Sequence, residues 1–318
     1  MASSTAEQSI GKIDELTHAI ASLAHVEKPY QDGCVIKRKL SVKRAPVDQA
    51  LTEAQAKLNM WKTDRDALDH WTLQWIVSFC MCELASEKDR CDKGIKKAQE
   101  LVDTAQEKVD EADEEDREAD NKIQKLAVDY RSLQSQRDEL TELLDNVFST
   151  QDGSFSTVDD LKKQVEEAEA AVQQIKSNDE KLIQVKQLLK KADMALLEAV
   201  IDLRQSRDAK NLGQGQVYFP QAAYEAIKSA RELYPTLPTI DPPQEYVKEA
   251  DETGAFYSPM QRYLWEIRQR LASLVEWCDK QEVEHMYEEA ERLVDVGTKV
   301  DAWNLERRRI IKDVILQA

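Results

Sequence analysis

The chain has 318 residues, of which 42% are apolar, 33% are charged and only 6% are aromatic. Its 44 basic and 61 acidic side chains give a net charge of −17, and glycine and proline number eight each. This composition excludes collagen-like, disulfide-dense, transmembrane and turn-rich all-β proteins, and it favours long helices. The acidic balance argues against DNA, RNA or anionic lipid as the main partner, because lysine and arginine drive binding to phosphate groups.

The first part of the chain, residues 1–46, is predicted to contain a short helix and a basic loop. The helix covers roughly residues 5–27, where apolar positions recur at helical spacing. The loop follows over residues 30–45, because Gly33 and Pro46 mark boundaries at which helices commonly stop.

The predicted loop carries a basic cluster at residues 37–44, with the sequence KRKLSVKR. Within it Ser41 follows two basic residues at a spacing that resembles the substrates of basophilic protein kinases. Phosphorylation of Ser41 is therefore predicted, and the added charge would weaken attachment of the loop to any acidic surface. Two alternatives stay open, namely a solvated loop resting on an acidic helix and a nuclear import signal.

The next helix is predicted over residues 47–92 and is expected to continue directly into a coiled-coil arm. No proline occurs between residues 47 and 219, and an interior proline costs a helix about 3 kcal/mol. The stretch from Trp71 to Leu84 is apolar on most of its circumference, as is typical of a buried helix. Together with the aromatic residues after residue 217, it predicts an aromatic-rich helical base.

From Ile95 onward, two sets of residues recur every seven positions over eight heptads, and fourteen of their sixteen members are apolar. The exceptions are Asp116 and Arg137. Such a long repeat predicts a coiled coil. A second repeat runs over residues 158–203 after a loop at residues 149–157 that contains Asp-Gly and several hydroxyl side chains.

Because two repeats of similar length are joined by a short loop, they predict an antiparallel hairpin arm over residues 93–212. In the expected register Leu144 meets Leu161 across the pair. The second repeat also consists of two sets of residues, and one of them is apolar at only four of its seven positions. Its three charged residues would lie opposite the middle of the first repeat, which predicts a soft segment in the middle of the arm. These residues are Asp179, Lys186 and Asp193.

The remaining part, residues 213–318, is predicted to complete the helical base. A short helix is expected over residues 220–234, followed by a proline-rich linker at residues 235–243. Ser258 and Pro259 then offer an N-cap and a first-turn proline to a helix that runs to about residue 316.

The first repeat also carries an acidic run at residues 110–120, which holds eight acids and one base. It is predicted to be either a solvated helix face or a docking site for a basic protein partner. The candidate docking residues are Asp110, Glu111, Asp113, Glu114, Glu115 and Glu118.

No chemistry-bearing motif accompanies this architecture. Phosphate-binding glycine loops and nucleophile elbows do not occur in the sequence, so no catalytic residue and no cofactor is predicted. Cys80 and Cys82 are two residues apart, which on a helix separates them by about 200°, and they are predicted to be small apolar side chains, not metal ligands. The five cysteines are expected to be free thiols in a reducing compartment, so a cytoplasmic location is predicted, with nuclear import through residues 37–44 as the alternative.

Three classes of function are compatible with these features. A structural or adaptor protein that spaces or tethers protein partners explains the long repeats and the acidic surface together. A helical membrane-associated dimer that resembles BAR-type domains is the alternative, but that family binds lipid through basic faces. An enzyme is the least favoured class. Homodimerisation is compatible with the heptads, and membrane association is not expected from the charge.

Overall fold

The computed structural model describes residues 2–69, 84–148, 155–205, 220–239 and 259–315, and all its regular elements in these ranges are helical. The predicted all-α class is therefore confirmed for the described residues. The α-helices are α1 (Ala2–Leu23), α2 (Glu27–Ala67), α3 (Leu84–Phe148), α4 (Ser156–Gln205), α5 (Gln221–Leu233) and α6 (Pro259–Ile310). None of the described helices combines the length and apolar character needed to cross a membrane.

The chain divides into two compact units. The first contains residues 1–152 together with 308–318, and the second contains residues 153–307. A 3-10 turn at Ala24–Val26 joins α1 to α2, and a π-helical turn at Ile311–Ile315 follows α6.

In the first unit α2 and α3 pack against each other in antiparallel orientation. Lys37 of α2 bonds Asp120 of α3, and Arg44, seven residues later, bonds Asp113, seven residues earlier. The heptad residues of α3 supply most of its buried stripe, as the repeat predicts. Its buried apolar members are Ala98, Ala105, Val109, Ala119, Leu133, Leu140, Leu144 and Val147.

The prediction of a basic loop at residues 30–45 is wrong, because α2 runs without interruption through these residues and through Pro46. Gly33 and Pro46 disfavour a helix locally, but the intrinsic preference of a single residue is weak beside tertiary contacts. The buried residues Val35 and Leu58 lie on either side of Pro46 and fix both flanks of α2, so the helix continues across the proline.

The prediction of one helix over residues 47–92 is also wrong. Helix α2 ends at Ala67, and the amide groups of Leu68 and Asp69 close a turn on the carbonyls of Arg65 and Asp66 at 3.1 and 3.0 Å. Helix α3 begins at Leu84 and returns along α2. Because neither proline nor glycine lies between residues 47 and 93, no local signal marks this chain reversal.

Helix α1 packs on α3, and hydrogen bonds also join it to residues 308–312. Arg308 Nε and Lys312 Nζ donate to the two oxygens of Asp14 at 2.6 and 2.7 Å. Burial raises the pKa of Asp14, but the hydrogen bonds and charges of Lys312 and Arg308 outweigh burial, so its pKa lies below the ordinary value. Ionised Asp14 therefore ties the C-terminal turn to α1.

We expect Asp14→Asn to lower the stability of the first unit at pH 7 and to matter little in acid. A carboxyl group with a lowered pKa stabilises the folded state above its unfolded value of about 3.9, and that contribution fades as the pH falls through the folded pKa. Urea unfolding at pH 7 and at low pH measures the difference. Glu15→Gln, which removes an exposed acid from the same helix, is the control and should show no comparable pH dependence.

The second unit is built on a hydrophobic core shared by α4, α5 and α6. Helix α4 contributes an apolar stripe at heptad spacing, and α5 contributes small side chains that permit close approach. The fully enclosed members include Leu182, Leu189, Leu196, Ala223, Ala230, Leu264 and Cys278. The helices predicted at residues 220–234 and from Pro259 onward are confirmed as α5 and α6.

The charged heptad positions of α4 all face α6. Arg268 binds Asp193 with two hydrogen bonds of 2.7 and 2.9 Å. Lys186 Nζ lies 2.6 Å from Asp279 and 2.7 Å from Glu282. His285 Nδ1 lies 3.5 Å from Asp179 Oδ1. Lys186 and Asp193 therefore meet opposite charges on α6, and Asp179 lies beside His285. The predicted soft segment depends on pairing with residues 93–148 and stays a prediction.

Two features of the predicted architecture are not decided by these contacts. The pairing of residues 93–148 with 158–212 joins the two units, and it stays a prediction. Much of the predicted aromatic-rich base, including Trp71, lies outside the described residues. Aromatic contacts within the described ranges include the Tyr30–Tyr130 stack and an edge contact between Tyr234 and Trp277, with no larger aromatic cluster there.

Candidate protein-docking face

A basic stretch of α2 and the acidic run of α3 lie side by side in the first unit. Within residues 37–44, Lys37 bonds Asp120 of α3 and Arg44 bonds Asp113. Arg44 Nε also donates to Asp48 on its own helix at 2.7 Å. The seven-residue spacing on both helices follows from antiparallel packing, in which one face of each helix returns every two turns.

The ion pairs of this contact are exposed to solvent. The side chains of Lys37 and Asp120 are 45% and 37% exposed, and those of Arg44 and Asp113 are 30% and 43% exposed. The hydrogen bond to Asp120 raises the pKa of Lys37, so Lys37 stays charged at neutral pH. Exposed pairs contribute only about 0–1 kcal/mol each, and salt weakens them. The basic stretch is therefore held by several weak contacts.

The six predicted docking carboxylates differ in their exposure and in their contacts with α2. Asp113 points toward α2, where Arg44 binds it. The other five are exposed and follow one another at the spacing of a single helix face; they are Asp110, Glu111, Glu114, Glu115 and Glu118. We call these five residues the acidic face.

Contacts that residues of the acidic face make along their own helix are weak. Asp110 accepts a hydrogen bond of 2.9 Å from Gln106. Glu114 lies 3.5 Å from Arg117, and Glu118 lies 4.0 Å from Lys122. Pairs three or four residues apart on an exposed helix contribute only a few tenths of a kcal/mol. A basic partner would therefore displace little when it binds these carboxylates.

Ser41 lies within the helix α2, and the prediction of an extended, loop-like site is wrong. Its hydroxyl is exposed and donates to the carbonyl oxygen of Arg38 at 2.7 Å. Ser41 also lines a groove of about 330 Å³ between α2 and α3. Lys43 and Arg44 line this groove from α2, and Glu111 and Glu115 line it from α3. The predicted basic cluster and the predicted acidic run therefore meet at one place.

Sequence reasoning missed the groups that fix this arrangement. Asp120 binds the basic stretch, although it is not among the six predicted docking residues. Farther along α3, Arg137 forms two hydrogen bonds of 2.7 and 2.8 Å with Glu27 of α2. Both side chains are buried, so this pair anchors the first part of α2 more firmly than the exposed pairs do. The opposite charges of residues 37–44 and 110–120 were the available signal for α2–α3 pairing.

Cysteine and histidine side chains do not form a candidate metal site within the described ranges, where no group of three or more potential ligands converges. Cys91 and Cys278 are buried. Burial raises the pKa of the Cys278 thiol to about 11, so it stays protonated at neutral pH. Cys80 and Cys82 lie outside the described residues.

Comparison with models of known protein families, with curated proteins and with solved structures found no match. A docking face is therefore inferred from the geometry and charge of α2 and α3 alone.

Proposed function

We propose that this chain is a non-enzymatic structural or adaptor protein that spaces or tethers protein partners, one of which docks a basic helix on the acidic face of α3. The observation that carries the proposal is the row of five exposed carboxylates, which lies next to carboxylates that already bind a basic helix. The contacts of Lys37 and Arg44 with Asp120 and Asp113 support a basic helix as the ligand.

A basic helix fits the acidic face for geometric reasons. The five carboxylates cover little more than two turns of α3, and the exposed pairs at Asp110–Glu114 and Glu114–Glu118 are each four residues apart. An antiparallel helix with lysine or arginine every four residues would bring one cation to each turn of the acidic face. Helix α2 binds the neighbouring carboxylates in a similar way with Lys37 and Arg44, which are two turns apart. The net charge of −17 would also speed encounter with a basic partner.

The spacing role rests on helix length. Helix α3 has 65 residues, which corresponds to about 98 Å at 1.5 Å per residue. The hypothesis of a projecting hairpin arm on an aromatic-rich base is part of the proposal and has its own test. Spin labels at positions 144 and 161 of one chain, diluted with unlabelled protein, should lie within contact range, and a long distance would exclude that hairpin.

Neutralising the acidic face tests the docking proposal. We expect the triple variant Glu111→Gln, Glu114→Gln and Glu118→Gln to bind a fluorescent lysine-rich helical peptide about tenfold more weakly than the unmodified protein. The size follows from three exposed ion pairs at about 0.5 kcal/mol each. Fluorescence anisotropy titration at low salt measures the affinity, and circular dichroism checks that helix content is unchanged.

The matched control removes the same number of charges from exposed positions of α4, through Glu167→Gln, Glu169→Gln and Glu180→Gln. Equal affinity for the peptide in the two triple variants would contradict a specific docking face and would leave only attraction by net charge. Co-sedimentation with anionic vesicles separates the adaptor from the BAR-like alternative, since the alternative requires sedimentation with lipid.

A further inference from the structure

Ser41 lies on the helix face that holds α2 against α3. Lys37 precedes it by four residues and Arg44 follows it by three, and side chains at these spacings are neighbours on a helix. These same two cations bond Asp120 and Asp113 of α3. A negative group on Ser41 would therefore compete, within α2, for Lys37 and Arg44, two of the cations in this stretch that bond α3.

The surroundings of Ser41 across the groove are acidic. Glu111, Glu115 and Asp116 of α3 line the groove that Ser41 also lines. A phosphate on Ser41 would add about −1.5 to −2 charges beside these carboxylates. It would also remove the hydroxyl proton that Ser41 now donates to the Arg38 carbonyl. Repulsion across the groove and competition within the helix act in the same direction.

This stretch of α2 is also the part that is anchored least. Between Val35 and Leu58, all of which the structure describes, no residue of α2 is buried. Pro46 lies in this interval and has no amide proton to donate to the Val42 carbonyl, so one helical hydrogen bond is missing. Segments with few buried contacts open locally at a free energy below that of global unfolding. Such opening would present Ser41 to a kinase in extended form.

We propose that Ser41 is a phosphorylation site, and that its phosphate detaches residues 37–44 from α3. A basophilic protein kinase transfers the terminal phosphoryl group of a nucleoside triphosphate to Ser41 Oγ. The new Oγ–P bond forms as the bond to the leaving diphosphate breaks, and the hydroxyl proton passes to a base of the kinase. The detached segment leaves Asp113 and Asp120 uncovered beside the acidic face.

A consequence for binding rests on the proposed function. With Asp113 and Asp120 uncovered, α3 offers a basic partner more carboxylates, and the internal competitor at residues 37–44 is withdrawn. Phosphorylation would then strengthen binding of a basic helix. Detachment itself is a property of this chain alone and is measured without any partner.

The test uses the full-length chain treated with a basophilic kinase and ATP, with the modified residue mapped by mass spectrometry. Ser41 should carry the phosphate, and Ser41→Ala should abolish its incorporation. Amide hydrogen exchange of peptides that cover residues 37–48 should become several-fold faster after phosphorylation, while peptides from α4 should be unaffected. Ser41→Glu should reproduce part of the effect. Thr52→Glu adds a negative charge to an exposed position of the same helix away from Lys37 and Arg44, and it should not.

Failure of phosphate incorporation at Ser41, or unchanged exchange over residues 37–48 after incorporation, would overturn the inference. Equal acceleration by Ser41→Glu and Thr52→Glu would also overturn it, because competition for Lys37 and Arg44 would then have no role. Titration with the lysine-rich peptide tests the proposed docking function and not the detachment of residues 37–44. If the acidic-face variant and its α4 control bind this peptide equally, the proposed docking function fails, while the exchange result still decides detachment.

Discussion

Arg137→Met is expected to lower the free energy of unfolding of the first unit by about 3–5 kcal/mol, because the Glu27 carboxylate would then stay buried without its counter-charge. Arg137 and Glu27 are each only 4% exposed, and two hydrogen bonds of 2.7 and 2.8 Å join them. Gln134, whose amide lies 3.5 Å from Glu27, is too distant to replace the guanidinium. Urea denaturation followed by circular dichroism measures the loss.

A double variant distinguishes an unpaired charge from lost packing. In Glu27→Leu with Arg137→Met neither charge is left, and apolar replacements of a buried pair are often close to neutral. Most of the stability should therefore return. Arg117→Met is a surface control, since Arg117 lies 3.5 Å from exposed Glu114, and it should cost less than about 1 kcal/mol. A double variant as unstable as Arg137→Met alone would show that the side-chain volumes matter and the charges do not.

Gly94→Ala should destabilise the same unit, although alanine normally favours a helix over glycine by about 1 kcal/mol. A Cβ atom at position 94 would lie 2.5 Å from Trp61 Cδ2 and 2.8 Å from Cε2 and Cε3 of the indole ring. A rigid ring cannot yield as a flexible chain end does, so the added methyl forces α2 and α3 apart. We expect a net loss of about 1–3 kcal/mol in urea denaturation, typical of overpacking.

Gly11 offers a matched control, because a Cβ atom there would meet nothing within 4 Å. Gly11→Ala should therefore be neutral or stabilising. Trp61→Leu removes the obstructing ring. In that background Gly94→Ala should lower the free energy of unfolding by less than it does beside Trp61. If Gly94→Ala behaves like Gly11→Ala, the indole ring has room to move and close packing at this position is not required.

The helical class and the buried stripes of several helices follow from local patterns in the sequence. Alanine, leucine, glutamate and lysine are abundant in the chain and favour helices, and proline and glycine mark several interruptions. Heptad spacing identified buried residues of α3 such as Leu133 and Leu140, and of α4 such as Leu182 and Leu189. These properties depend on neighbours a few residues away, so they can be deduced from local patterns.

The partner of each helix was beyond the local pattern. A heptad repeat states which face of a helix is buried, and it does not state against which helix. In the first unit α3 packs on α2 and α1, neither of which its repeat identifies, and the predicted pairing with residues 158–203 stays a prediction. The charged residues within the repeats indicate the partner helices, because Arg137 forms an ion pair with Glu27 of α2 and Asp193 forms one with Arg268 of α6. Complementary charges identify a pair only after both helices are known to be helices.

Tertiary structure alone decided two chain paths, the continuation of α2 through Pro46 and its end at Ala67. At Pro46 the local preference opposes a helix, and beyond Ala67 it would allow one to continue. Contacts such as Lys37–Asp120 and Trp61–Gly94 join residues far apart in sequence, so local patterns do not reveal them. The docking face follows the same division: its acids are evident in the sequence, but only the antiparallel return of α3 along α2 brings the basic segment and Ser41 beside them.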